Sequence, residues 1–77
     1  MSLMSVPERE LERVIKDRRT GGYYVRGGVW TVNAREARVF EDLGLALEVA
    51  QNEGLRGCSI IVFRGGFREV DAQFPID

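Results

Sequence analysis

Apolar residues recur along this chain at two periods. Leu11, Val14 and Ile15 share one face at helical spacing, while Arg9, Glu10, Glu12, Arg13, Lys16 and Asp17 surround them. Ser5 followed three residues later by Glu8 reads as a capping box, with Pro7 in the first turn, where its missing N–H costs nothing. The pattern predicts a narrow-striped N-terminal helix over about residues 5–19, ending before Gly21-Gly22. Such a helix needs another element to lie on.

The period then changes to two. Tyr23-Tyr24-Val25-Arg26 and Val29-Trp30-Thr31-Val32 are β-rich runs separated by Gly27-Gly28, a strong hairpin signal because a type I′ turn needs positive φ at both central residues. A two-residue loop sets Val25 opposite Trp30 and Tyr23 opposite Val32. It turns these four side chains toward the core and Tyr24, Arg26, Val29 and Thr31 away from it. Residues 33–38 fit either a turn or more strand. Asp42 then starts a helix over about 43–53, with Leu43, Ala46, Leu47 and Ala50 as its stripe and Gly54-Leu55 as its stop. Cys58 to Phe63 is apolar on both alternating sets, as an interior strand is, and Gly65-Gly66 turns it into Phe67 to Ala72. A two-residue loop there pairs Ile61 with Val70.

The expected fold is α+β: an N-terminal helix followed by a ββαββ unit over about 22–74. Its two hairpins form a mainly antiparallel sheet packed on one central helix. Residues 5–77 make a single domain, and residues 1–4 are expected to be disordered or of cloning origin. Trp30-Thr31-Val32, Val39-Phe40, Ala46, Ala50, Ile60-Ile61-Val62 and Arg64-Gly65-Gly66-Phe67-Arg68 carry a resemblance to small uncharacterised bacterial ββαββ domains. It covers about two-thirds of the chain and implies the fold without an activity.

Composition narrows the function classes. With 77 residues there is room for one domain with a thin core. Eleven basic residues against twelve acidic ones leave no strong positive field for nucleic-acid phosphates. Histidine is absent, which removes the commonest general base, and the single Cys58 has no histidine to activate it. The carboxylates show no metal-site spacing. The sequence therefore predicts a non-enzymatic protein without a cofactor. No apolar run approaches a membrane span and no signal peptide is visible, so a cytoplasmic location is expected.

Two readings of function remain open. In the first, the sheet is apolar on both faces, and the chain self-associates, as a homodimer, through Leu11, Val14, Ile15, Ile60, Val62 and Phe67. In the second, the protein binds nucleic acid or a small anion through Tyr24, Arg26, Arg64 and Arg68, which flank the two Arg-Gly-Gly turns or lie on the outer sheet face. Turn chemistry alone accounts for both glycine pairs.

Overall fold

A computed structural model describes residues 11–76. Its elements run β1 (Leu11–Asp17), β2 (Tyr23–Arg26), β3 (Val29–Thr31), a 3-10 turn (Ala34–Glu36), α1 (Leu43–Asn52), β4 (Cys58–Arg64) and β5 (Glu69–Ile76). The order βββαββ overturns the expected helix–ββαββ arrangement. All five strands join one antiparallel sheet in the order β3-β2-β1-β4-β5. The predicted N-terminal helix is absent over residues 11–19, while its capping box at Ser5 to Glu8 lies outside the described residues.

Strand β1 exists because Val14 and Ile15 are adjacent. A helix places both on one narrow stripe, whereas a strand sends them to opposite faces. Both are fully buried. Ile15 joins the main core under α1, with Tyr24, Phe40, Ala46, Ala50, Cys58, Ile60, Val62 and Ile76. Val14 joins a smaller cluster on the other face, with Ala37, Ile61, Tyr23, Phe63 and Phe67. A seven-pair ladder from Leu11↔Arg64 to Asp17↔Cys58 satisfies the backbone. Central position and two-sided burial thus outweigh the helical spacing of the apolar residues. The first glycine pair accordingly closes a hairpin, with the Asp17 N–H donating to the Gly22 carbonyl at 2.8 Å.

Two further expectations fail on register. Strands β2 and β3 begin in the predicted register at Arg26↔Val29, but a bulge at Val25 then sets Tyr24 opposite Trp30 and Tyr23 opposite Thr31. One extra residue exchanges the faces. Tyr24 becomes the core residue, 1% exposed, while Val32 stands 90% exposed. At the other hairpin the loop has four residues, because Arg64 faces Glu69. Gly65, Gly66 and Phe67 all take positive φ there, at 67°, 69° and 69°. Phe67 is held in that conformation by its N–H, which donates to Glu12 Oε1 at 3.1 Å, and by its ring, 5.3 Å from that of Phe63. A second bulge leaves Ile61 opposite Gln73 and Val70 opposite Phe63.

Helix α1 follows its sequence signals closely. Asp42 Oδ1 accepts from the Leu45 N–H at 2.7 Å, and the Leu55 N–H closes the far end on the Ala50 carbonyl at 2.9 Å. The small buried Ala46 and Ala50 form its contact with the sheet. Strands β1 and β2 share only the pair Lys16↔Tyr23 before they part. The segment after the 3-10 turn fills the gap, with the Arg38 N–H on the Tyr24 carbonyl at 3.0 Å and the Phe40 N–H on the Arg13 carbonyl at 2.8 Å. The region left open as turn or strand is thus a 3-10 turn followed by a single bridge, Arg13↔Phe40.

Candidate functional site

The four residues assigned to nucleic-acid or anion contact do not converge. Tyr24 is interior, its hydroxyl donating to Glu53 Oε2 at 2.6 Å. Burial first, and then this bond, raise its pKa above the ordinary phenol value. Arg64 is engaged by Glu69 at 2.9 Å and by Asp71 at 3.9 Å. Arg26 stands at the β2–β3 turn and Arg68 in the β4–β5 loop, and β1 runs between those two hairpins.

The six residues assigned to self-association have different fates. Val14, Ile15, Ile60 and Val62 are buried within the chain's own two clusters, so the stripe that motivated a partner is interior. Phe67 packs on Phe63. Leu11 and Val62, however, line an open groove of about 480 Å³ beside β5, together with Leu43, Ala72 and Phe74 and with Arg13, Asp42 and Asp71 at its polar positions.

Strand β5 itself carries the exposed apolar side chains that the sequence reading passed over. It is eight residues long and, among the described residues, forms an outer edge of the sheet. Phe74, opposite Ile60, is 41% exposed on the α1 side, and Val70, opposite Phe63, is 50% exposed on the other. A two-residue loop at Gly65-Gly66 and the observed four-residue loop place Val70 on the same face, because they differ by two residues; the bulge between the Val62↔Ala72 and Phe63↔Val70 pairs is what turns Phe74 to the α1 side. Alternation counted backward from Pro75, which an edge strand tolerates, was the available signal.

The described residues contain no group of three or more His, Cys, Asp or Glu side chains able to hold a metal ion. Cys58 is buried, and that burial, with the nearby Asp17 carboxylate, raises its thiol above the ordinary pKa. A neutral, enclosed thiol is a poor nucleophile. No described helix is long and apolar enough to cross a membrane. Comparison with known proteins adds no relative, since no protein-family model, no curated protein and no solved structure matches this chain at a significant level.

Proposed function

We propose that the protein is a small non-enzymatic interaction module that pairs with a second copy of itself along β5. The observation that carries this reading is the exposure of Phe74 and Val70 on the two faces of an eight-residue edge strand beside an apolar groove. An edge strand presents unpaired N–H and C=O groups, and an added strand satisfies them. Pro75 has no N–H to give and lies opposite Ser59, so its nitrogen faces outward, and the period of two makes Gln73 outward-facing as well.

An antiparallel copy centred on Gln73 sets each Phe74 opposite the Ala72 of the second copy. The small alanine leaves room for the ring over the groove that Ala72, Leu43 and Leu11 line. Glu69 and Asp71, which guard the start of the strand, limit the pairing to this short central register. Light scattering of the purified chain at high micromolar concentration tests the reading. The wild type is expected to be a dimer. Phe74→Glu is expected to be a monomer with an unchanged circular dichroism spectrum, and Val39→Glu, exposed but off β5, remains a dimer. A monomeric wild type, or a dimeric Phe74→Glu, refutes the proposal.

A further inference from the structure

At the end of the sheet where β1 turns into β2, a cleft of about 540 Å³ opens between the β1–β2 turn and the loop joining α1 to β4. Asp17, Arg19 and Thr20 line it from the end of β1 and the turn, Leu55 and Arg56 from the loop, and Trp30 from β3. Arg19 and Arg56 also line an adjoining cavity of about 410 Å³ with Arg18 and Gly57. Two contiguous hollows therefore share the same two guanidinium groups.

Arg18 and Glu53 are engaged elsewhere, while Asp17 lines the cleft and its carboxylate is attracted by the Arg19 charge. Arg18 turns inward, its Nη1 donating to the Cys58 carbonyl and, at 3.1 Å, to Ser59 Oγ. The Asp17 carboxylate accepts from the Arg19 N–H at 2.8 Å, and this bond first of all lowers its pKa. Glu53 is taken by the Tyr24 hydroxyl. The carbonyls at the end of α1 are closed by the N–H groups of Glu53, Gly54 and Leu55, so no arginine is required as a cap. Among the described residues, neither the Arg19 nor the Arg56 guanidinium enters a hydrogen bond or salt bridge. Trp30, braced edge-on against Tyr24 at 5.6 Å, keeps 37% of its surface exposed.

We infer that this cleft binds a nucleotide, with its phosphate on Arg19 and Arg56 and its base against Trp30. Guanidinium forks match phosphate oxygens, and indole offers a face to any base. The cleft has the volume of a small-ligand site. The same chemistry is offered by a free nucleotide and by one unit of a single strand.

Trp30 is the only tryptophan in the chain, so its fluorescence reports on this site alone. Titrations with thymidine monophosphate, a thymidine oligonucleotide and inorganic phosphate separate the possibilities. Saturable quenching by the mononucleotide identifies a free nucleotide, and quenching by the oligonucleotide alone identifies a strand; either supports the site. Affinity is expected to fall with added salt and to drop at least about tenfold in Arg19→Ala/Arg56→Ala. The melting temperature should stay near the wild-type value, since both side chains are exposed. Absence of quenching by both thymidine ligands overturns the inference. So does wild-type affinity in the double variant, or an equal response to inorganic phosphate alone.

Discussion

Ile15→Ala tests the central finding, that residues 11–17 form the middle strand. The side chain is fully buried in the main core beneath α1, on a residue paired with Ile60. Truncating a buried isoleucine to alanine costs about 2–5 kcal/mol, through lost transfer energy and the cavity left behind. A domain of 77 residues has a total stability of about 4–12 kcal/mol, so the change consumes a large share of it. With an unfolding entropy of about 2.1 cal/mol/K per residue, a loss of about 3 kcal/mol lowers the melting temperature by nearly 20 °C.

Urea unfolding followed by circular dichroism gives the free energy directly, and Val14→Ala is its companion. Val14 is equally buried, on the other face. In the strand its truncation removes about two methylene equivalents, or about 1.6 kcal/mol before any cavity cost. On a helix, by contrast, alanine is the better former and the substitution recovers propensity. A loss below about 1 kcal/mol for both variants, or a gain in stability for Val14→Ala, refutes the two-sided strand.

Two more expectations concern single interactions. Tyr24→Phe removes the hydroxyl that donates to Glu53 and is expected to cost about 1 kcal/mol, because exposed Glu53 regains water; a neutral effect in urea unfolding contradicts the bond. The raised Cys58 thiol stabilises the fold at and below the ordinary thiol range, and that contribution is lost as pH rises toward and through the folded pKa. A stability–pH profile should therefore decline more steeply in alkali for the wild type than for Cys58→Ala, and identical slopes would contradict it.

Punctuation was more legible in this sequence than register. Asp42, Gly54 and Leu55 act through contacts only a few residues apart, so the bounds of α1 could be read from the chain alone. The three glycine pairs all mark reversals between strands, the first included. What failed depends on distant partners. Leu11, Val14 and Ile15 fit a helical stripe as well as they fit a strand, and the ladder to β4 that decides between them lies some forty-five residues away. The bulge at Val25 likewise has no local signature, yet it exchanged the faces of Tyr24 and Val32 and so misplaced Tyr24 as a contact residue. The place of Phe74 on the α1 side depends on the same kind of feature, the bulge between Val62 and Phe63 in the β4–β5 ladder, which also has no local signature.

The early parting of β1 and β2 connects the fold to both proposed surfaces. Because their ladder stops at Lys16↔Tyr23, the β2–β3 hairpin bends toward the end of α1, where Tyr24 reaches Glu53 and a Cβ on Gly27 would lie 3.7 Å from the same carboxylate. That bend brings Trp30 to the loop carrying Arg56 and leaves the cleft between them. On the other side β4 pairs along its whole length with both β1 and β5, with one bulge at Asp71, which holds β5 in the sheet as its outer described strand. The parted seam between β1 and β2 and the continuous seam between β1 and β4, on either side of the central strand, thus leave the cleft proposed for a nucleotide and the outer strand proposed for a second copy.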